Sequence, residues 1–410
     1  MSEHLANAPG LSALAEGNVQ SALATLRELA WRDPSYKTYC NLAVAERAAG
    51  HLFSARDHLL KAVTFSPRSP VAYFNLANLE SDLGNFSQSL SLYDKAFSLD
   101  PSNTRIALGY AQCLLREREF SRAWPLWEMG RINYSWHVFP VAPPWHPSFK
   151  PGRVLVVCEG GYGDAFLFSR WLPFVKASGA TKVTLMIWDC LKDWTDWTKL
   201  GVDRVISKDA DLQLEYDYST SWMSLPALSG MRSMGDVPWP NAWTQMCYRP
   251  LPPRNKTPRI GFCWTAAQLG DMRKTKMLDD LSARDIACNL QSRGRLESLV
   301  PGASPGAKGY KVYCYTLAPD ATWTDTTALV QCCDYVVTAD TAVAHLSALC
   351  GVPTLILLPC HSGWQWFRDT LVDEWYGPHV RYFRNRDPFK WDVPAILQAI
   401  EEFLPSTTAP

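Results

Sequence analysis

Two patterns of apolar positions divide the chain. Through residues 1–135 apolar side chains recur at helical spacing, as in Tyr73–Gly84 and Ser89–Phe97, which predicts amphipathic helices. From Arg153 onward, short runs of β-branched and aromatic residues alternate with helical segments, a pattern typical of strands joined by helices. Because strands that alternate with helices form parallel sheets, the sequence predicts a helical block followed by an α/β region.

The helical block contains an internal repeat of 33 or 34 residues. Its marker positions are Gly17, Gly50, Gly84 and Arg118, then Ala22, Ala55, Ser89 and Ala123, then Pro34, Pro67 and Pro101. Small residues let two helices approach, glycine turns between them, and proline ends the second helix. The block resembles about three and a half tetratricopeptide repeats, with the first and last units as caps. Either this solenoid binds a partner or acceptor on its concave surface, or it only braces the domain that follows.

The α/β region divides at a proline-rich segment into two halves. Residues 136–152 and 251–258 predict linkers, so the expected domains are 1–135, 153–250 and 259–410. The predicted strands are Val154–Cys158, Val183–Ile187, Val202–Ile206, Tyr216–Ser221, Arg259–Trp264, Val312–Thr316, Tyr335–Thr338, Thr354–Leu358 and Tyr382–Arg384. The predicted helices of this region are Ala165–Ser178, Thr327–Cys332, Ala342–Cys350 and Trp391–Phe403, and a flexible loop is predicted from Leu290 to Gly309.

Composition limits the partners and the location that we expect. The chain has 40 basic and 40 acidic residues, which argues against a dominant nucleic-acid or membrane-surface field. Its 12 cysteines lack paired CxxC spacing and indicate reduced thiols in a cytoplasmic protein. We expect neither secretion nor membrane insertion, because the sequence has no leader pattern and no apolar run of about 18 residues. The 18 tryptophans are expected mainly in the core, but aromatic surfaces leave a homodimer open.

A glycine-rich turn follows the first strand of the α/β region. Gly161 and Gly163 stand before a predicted helix, where glycines let backbone N–H groups approach an anionic ligand. The third glycine of a dinucleotide fingerprint is replaced by Phe166, so that motif is absent. Asp164 is either a helix cap or a carboxylate that serves as a base.

A second helix start follows the strand at Tyr335. Asp340 and Thr341 occupy the N-cap region, and the Thr341 hydroxyl with the first helical N–H groups suits a phosphate. His345, about one turn further on, could donate a hydrogen bond to that phosphate. The alternatives are a plain cap for Asp340 and a satisfied core histidine for His345.

A basic loop follows the Arg259–Trp264 strand. It contains Lys274, Thr275 and Lys276, whose charges could neutralise a leaving diphosphate. The alternative is a solvated surface loop. Asp209 and Asp211 spell a DxD motif but lie far in sequence from this half, so we predict no metal site.

Taken in order, these motifs resemble a known family. The order is a strand, a GxGD loop and a helix, then a strand and a basic loop, then Asp340-Thr341 with His345 before a helix and Gly351-Val-Pro353. This resembles the GT-B glycosyltransferases related to the ADP-heptose:lipopolysaccharide heptosyltransferases, especially bacterial and phage relatives with N-terminal tetratricopeptide repeats. The catalytic half of O-GlcNAc transferase is a more distant relative.

The resemblance implies a fold and a set of roles. The fold would be a repeat solenoid followed by two Rossmann-like α/β domains. Asp164 matches the proposed catalytic base of the family, and the donor diphosphate would meet a larger set of residues. These are Gly161, Gly163, Lys274, Thr275, Lys276, Asp340, Thr341 and His345.

The implied activity is inverting, metal-independent transfer of a sugar from a nucleotide sugar to a hydroxyl group. The nucleotide sugar is a co-substrate, and no cofactor is expected. The acceptor is left open between a protein, a glycan and a hydroxylated DNA base. A hypothesis of another class is a non-catalytic repeat scaffold whose α/β part only binds a nucleotide.

Overall fold

A computed structural model describes residues 10–131, 142–208, 216–238, 257–265, 277–306, 312–368 and 370–404. The chain divides into two compact units. The first contains residues 1–134 and 363–367, and the second contains residues 135–362 and 368–410. In the described part of the chain, no helix has both the length and the apolar character needed to cross a membrane.

The first unit is a series of antiparallel helix pairs. Its helices are α1 (Leu11–Ala15), α2 (Val19–Arg32), α3 (Tyr36–Ala48), α4 (Leu52–Phe65), α5 (Pro70–Asp82), α6 (Phe86–Leu99), α7 (Thr104–Arg116) and α8 (Phe120–Arg131). The turns within the pairs need a left-handed residue, and Gly50 and Gly84 supply it with φ of 80° and 78°. Arg118 adopts φ of 61° at the matching position of the last pair. The repeat marker is therefore a backbone conformation that arginine also adopts here.

A short segment from late in the chain completes the repeat unit. The Trp364 ring packs edge-on against Trp124 and Trp127 of α8, with ring centroids 6.3 and 5.8 Å apart. The Phe367 ring packs against Phe120, with centroids 6.2 Å apart. Residues 363–367 therefore cover apolar surface of the last helix, the role that a capping element has in a repeat array.

The second unit contains two parallel sheets, and the first of them has four strands. Its strands are β1 (Arg153–Val157), β2 (Lys182–Ile187), β3 (Arg204–Ser207) and β4 (Tyr218–Ser221), in the order β3-β2-β1-β4 with every neighbour parallel. The associated helices are α9 (Tyr162–Phe168), α10 (Leu172–Ala177), α11 (Asp189–Lys192) and α12 (Leu225–Leu228). The Trp145 N–H donates to the Ser219 carbonyl at 2.8 Å. This end of the predicted linker therefore lies along the edge strand.

The second sheet has seven strands. They are β5 (Arg259–Cys263), β6 (Arg295–Ser298), β7 (Tyr315–Thr316), β8 (Tyr335–Ala339), β9 (Thr354–Leu358), β10 (Val372–Asp373) and β11 (Gly377–Arg384), in the order β10-β11-β9-β8-β5-β6-β7. The associated helices are α13 (Asp280–Arg293), α14 (Trp323–Gln331), α15 (Ala342–Leu349) and α16 (Val393–Phe403). Only the β10–β11 pair is antiparallel among the described strands. The predicted fold class, helical repeats followed by parallel α/β sheets, is confirmed.

The prediction of a flexible loop from Leu290 to Gly309 was wrong over its first part. Helix α13 runs on to Arg293, and β6 then pairs in parallel with β5. The sequence of this strand shows no apolar run because the fully buried Glu297 lies within it. The Glu297 carboxylate accepts from Arg259 at 3.0 Å and lies 2.9 Å from Arg295 Nε, so charge pairing replaces apolar packing at this position.

The helix predicted over Ala165–Ser178 is broken in the structure. Helix α9 ends at Phe168, a short 3₁₀ turn spans Ser169–Trp171, and α10 begins at Leu172. Pro173 occupies the first turn of α10, where its missing N–H removes no helical hydrogen bond. The break matters because it turns Arg170 inward, where only 3% of its surface is exposed.

Candidate functional site

A cavity lies at the carboxyl edge of the seven-stranded sheet. Its volume is about 490 Å³, and its walls come from the segments that follow β5, β9 and β11. The lining includes Thr265, Asp279, Cys360, His361, Asn385 and Trp391. Parallel α/β sheets bind ligands outside the carboxyl ends of their strands, so this position is typical of a ligand site.

Hydrogen bonds hold the cavity wall that follows β11 in one conformation. The side-chain amide of Asn385 donates to the Asp387 carbonyl at 2.6 Å and to the Lys390 carbonyl at 2.7 Å. Its oxygen accepts from the Asp392 N–H at 3.0 Å. The Trp391 indole donates to the Met277 carbonyl at 2.9 Å, which joins this wall to the segment preceding α13. The cavity is therefore bounded by backbone that side chains fix in place.

Helix α15 begins beside this cavity. Thr341 is its N-cap, with an extended backbone and only 9% of the residue exposed. The Thr341 hydroxyl lies 3.3 Å from the Thr338 hydroxyl and 3.5 Å from Cys263 Sγ. Cys263 in turn donates to the carbonyl of Thr265 in the cavity wall at 3.3 Å. Side-chain contacts thus connect the N-cap of α15 with Thr265 of the cavity wall. Asp340 lies half-buried at the same helix start.

On the four-stranded sheet, the glycine-rich turn leads into α9. Asp164 is the third residue of this helix, and its carboxylate accepts from the Gly161 N–H at 2.6 Å. An acidic residue in this position caps the helix and complements its dipole. Gly160 has φ of 79°, and a side chain there would overlap the Asp164 carboxylate. Asp164 therefore caps the helix in the structure. The role of Asp164 as a base stays a prediction.

The first turns of α9 and α15 pack directly against each other. A Cβ atom added at Gly163 would lie 2.8 Å from Cδ2 of His345 and 3.6 Å from the Ala342 Cα. The distance of 2.8 Å is shorter than van der Waals contact, so only glycine lets the two helices approach this closely. The structure thereby brings together Gly163, Asp164 and His345, which belong to the two predicted halves of the α/β region.

His345 belongs to a buried polar network. Its Nδ1 atom lies 2.7 Å from the Tyr376 hydroxyl, and 4% of His345 and 3% of Tyr376 are exposed. The Arg170 guanidinium lies 4.8 Å from the Tyr376 ring centroid and donates to the Trp375 carbonyl at 2.9 Å. The Asp373 carboxylate accepts from the Tyr376 N–H at 2.5 Å and also accepts from the Tyr382 hydroxyl.

Burial determines the charge states within this network. Burial raises the pKa of Asp373 to about 6, although hydrogen bonds from Tyr382 and Tyr376 act in the opposite direction. Burial also raises the pKa of Tyr376 beyond its ordinary value, and the Arg170 charge opposes that rise. The pKa of Arg170 is lowered by burial, but an arginine with a lowered pKa is still charged at neutral pH. The network therefore places a guanidinium group and a carboxyl group at Tyr376, which in turn contacts His345.

Aromatic packing forms a second contact between the two halves of this unit. The Phe166 ring of α9 lies 4.6 Å from Trp194 and 5.1 Å from Trp323 of α14, measured between ring centroids. The Trp194 indole donates to the Thr327 hydroxyl at 2.8 Å. Ring packing of this kind adds about 0.5–1.5 kcal/mol per pair beyond the area buried, so the helix starts are held together on two sides.

Several site residues were missed or stay untested. Lys274, Thr275 and Lys276 lie outside the described residues. No site role was predicted for Arg170, Asp373 or Tyr376, nor for the cavity residues Asn385 and Trp391. The cavity residues had a detectable signal, since they follow a predicted strand at its carboxyl end. The network had none, because its members come from segments that lie far apart in the sequence and meet only in the folded protein.

Comparison with known proteins identifies part of the chain. The family model "Tetratricopeptide repeat" matches residues 74–127. These residues form tetratricopeptide repeats. The family named from the repeat spacing is thereby confirmed, and the matched residues run from α5 to α8. No curated protein matches the sequence.

Solved structures similar to this chain include three kinds of protein. A mutant of the Thermobaculum terrenum O-GlcNAc transferase has 14% identity over 85% of this chain and 81% of that one, with a TM-score of 0.34. The E. coli ADP-heptose LPS heptosyltransferase II has 13% identity over 61% of this chain and 98% of that one, with a TM-score of 0.42. MamA has 19% identity over 30% of this chain and 71% of that one, with a TM-score of 0.27. The first two enzymes are of the kinds named in the sequence resemblance.

Proposed function

We propose that the protein is a glycosyltransferase that moves a sugar from a nucleotide-sugar donor to a hydroxyl group of an acceptor. One observation carries the proposal. The N-terminus of α15 is connected to the cavity of the seven-stranded sheet through Thr341, Cys263 and Thr265, and the same helix start packs against Gly163, the neighbour of Asp164 in the other half. This arrangement supports a donor site at α15 with the carboxylate of Asp164 next to the packed helix start.

The seven-stranded sheet would hold the donor. The cavity has the size of a site for a small molecule such as a nucleoside, and its Trp391 and Phe389 side chains offer aromatic surface. The diphosphate would lie at the start of α15, where backbone N–H groups and the helix dipole favour an anion. His345 and the basic residues Lys274 and Lys276, with Thr275 between them, would share the charge of the leaving group, so no metal ion and no cofactor is required.

The four-stranded sheet would hold the acceptor. Asp164 would accept the proton of the acceptor hydroxyl as its oxygen attacks the anomeric carbon and the bond to the diphosphate breaks. A single in-line displacement inverts the configuration at that carbon. The capping hydrogen bond from Gly161 would orient the carboxylate for this role. The backbone N–H groups of Gly161 and Gly163 would lie beside the reacting groups.

The acceptor is proposed only as a class. A protein or peptide would use the repeat unit as its binding surface, and a glycan would need only the cleft. A hydroxylated DNA base would have to leave the base stack to reach Asp164, and the formal net charge of zero makes DNA the least favoured of the three. A cytoplasmic location in a bacterium or phage-infected cell and a homodimer remain part of this proposal.

A donor screen tests the proposal directly. The full chain is mixed with a panel of nucleotide sugars, binding is scored by thermal shift, and each donor that binds is incubated with cell extract and followed by mass spectrometry. Sugar transfer that continues in excess chelator is expected. Transfer that chelator abolishes contradicts metal independence, and binding without transfer to any acceptor indicates the non-catalytic scaffold instead.

A further inference from the structure

The side chain of Tyr376 is enclosed by groups of fixed hydrogen-bonding character. The backbone N–H of Tyr376 donates to Asp373, which anchors the residue directly before β11 begins at Gly377. Its hydroxyl faces the Nδ1 atom of His345 at 2.7 Å, and the Arg170 guanidinium lies over its ring. Because all of these groups are buried, water does not take over the hydrogen bonds that they make with one another.

The direction of the hydrogen bond between Tyr376 and His345 can be argued from these neighbours. A guanidinium has only donors, and its charge favours the lone pairs of the tyrosine oxygen turned toward it, consistent with the opposing effect of Arg170 on the pKa of Tyr376. The hydroxyl proton then points to the other neighbour, Nδ1 of His345. A neutral imidazole that accepts at Nδ1 carries its proton at Nε2.

We infer that Tyr376 and Arg170 are positioning residues that fix His345 as a neutral imidazole with its proton on Nε2. The Nε2 atom lies on the side of the ring that faces Gly163, since a Cβ added there would be 3.3 Å from it. The imidazole is therefore oriented with its N–H group toward the meeting point of α9 and α15. The guanidinium charge at Tyr376 disfavours a second proton on the ring, whereas the carboxyl groups of Asp373 and Asp164 favour one. The hydroxyl donor at Nδ1 adds to the effect of the guanidinium, because a doubly protonated ring could not accept from Tyr376.

The inference rests on the proposed function only for the role that His345 would have toward a diphosphate. A neutral imidazole with a fixed N–H donates to a diphosphate oxygen without taking part in proton transfer. Truncating Tyr376 would leave the Nδ1 atom without its donor and would allow the other tautomer. The expected effect is then the loss of the fixed hydrogen-bond donor at Nε2 of His345.

Nitrogen NMR of the full chain labelled with ¹⁵N-histidine tests the inference without an activity assay. The chain has 8 histidines, and the His345 pair of signals is the one lost in His345→Gln. In the wild type at neutral pH we expect a protonated Nε2 and an unprotonated Nδ1. A proton on Nδ1, or on both nitrogens, overturns the inference, and this result needs no variant of Tyr376.

Two variants sharpen the result. Tyr376→Phe should move the His345 signals toward a mixture of tautomers, whereas Tyr382→Phe should leave them in place, because the Tyr382 hydroxyl donates to Asp373 and not to His345. Unchanged His345 signals in a folded Tyr376→Phe protein contradict the inference. Addition of inorganic pyrophosphate then addresses the proposed function separately. A shift of the Nε2 signal supports the diphosphate site, and no shift counts against that site while the tautomer assignment stands.

Discussion

The two halves of the α/β unit differ in what their sheets carry at the carboxyl edge. The seven-stranded sheet supports the cavity bounded by the segments after β5, β9 and β11. The four-stranded sheet supports a glycine-rich turn and the short helix α9, with Asp164 in its first turn. A wide sheet with several adjacent carboxyl ends can enclose a ligand, whereas the smaller sheet carries one carboxylate at the start of a helix. We propose that the half with the wide sheet binds the donor and that the half with the smaller sheet supplies the base.

The largest expected effect is a loss of sugar transfer on changing Asp164, in the half that contains the four-stranded sheet. Asp164→Asn keeps an oxygen that can accept from the Gly161 N–H but removes the base, so we expect transfer to fall at least about 100-fold, or about 2.7 kcal/mol, with nucleotide affinity unchanged. The matched control is Asp325→Asn, since Asp325 caps α14 in the same position with an N–H donor from Thr322 at 2.8 Å. Equal losses in both variants would make Asp164 a cap alone.

A smaller effect is expected where the two halves touch. Gly163→Ala places a methyl group 2.8 Å from the His345 ring, and relief of that overlap should cost about 1–3 kcal/mol of stability and displace the imidazole. In Gly161→Ala the new Cβ would be 3.6 Å from the Asp164 carboxylate, an ordinary contact, so this variant is the control. Thermal unfolding and transfer rates compare the two. If both alanines behave alike, the close approach of α9 and α15 is not required.

Changes in the half that contains the seven-stranded sheet should alter the affinity for the donor nucleotide. Asn385→Ala removes three hydrogen bonds that hold the cavity wall, and we expect the Kd of the donor nucleotide to rise roughly tenfold while the maximal rate at saturating donor is kept. Gln291→Ala is the control, because Gln291 of α13 donates to the Tyr313 carbonyl at 2.9 Å and neither residue lines the cavity. Calorimetric titration measures both variants. An unchanged Kd in Asn385→Ala would place the donor elsewhere.

The smallest effect concerns the buried carboxyl of Asp373. Its pKa of about 6 lies above the ordinary value of 3.8, so the folded protein binds an extra proton between these values. The stability from this group is fully present below about pH 4 and is lost as the pH rises through about 6. The free energy of unfolding of wild type relative to Asp373→Asn should therefore fall between about pH 4.5 and 6.5, by at most about 1.4 kcal/mol per pH unit.

The exposed Asp217 provides the control for this measurement. Arg153 lowers the pKa of Asp217 to about 2, so its contribution is present above the ordinary value and is lost only as the pH falls through about 2. Denaturant unfolding of wild type and Asp217→Asn should give a constant difference over the same pH range. A flat profile for Asp373→Asn as well would mean that the pKa of Asp373 is not raised in the folded protein.

The sequence predicted those elements whose burial follows a simple period. Strand β9 has the predicted bounds Thr354–Leu358 because all five residues are buried and apolar or β-branched. Strand β6 escaped prediction because the buried Glu297 and its arginine partners disguise it. Helix α9 was predicted too long, since a break before Pro173 depends on how the chain packs and not on local propensity.

The candidate site was predictable only in part, for a similar reason. Asp164 and His345 stood at helix starts that a single sequence reveals. Tyr376 and Asp373 were not found, because β11 lies beside β9 only in the folded sheet and 31 residues separate Tyr376 from His345. Charged residues that pair across distant strands leave no periodic signal in one sequence.

One pair of measurements tests the division between the halves most directly. Donor binding and sugar transfer are measured side by side in Asp164→Asn and Asn385→Ala with the donor that the screen identifies. We predict that Asp164→Asn binds donor as the wild type does and transfers at most about one hundredth as fast, while Asn385→Ala binds weakly and transfers normally once saturated. Loss of binding in Asp164→Asn together with normal binding in Asn385→Ala would contradict this division between the halves.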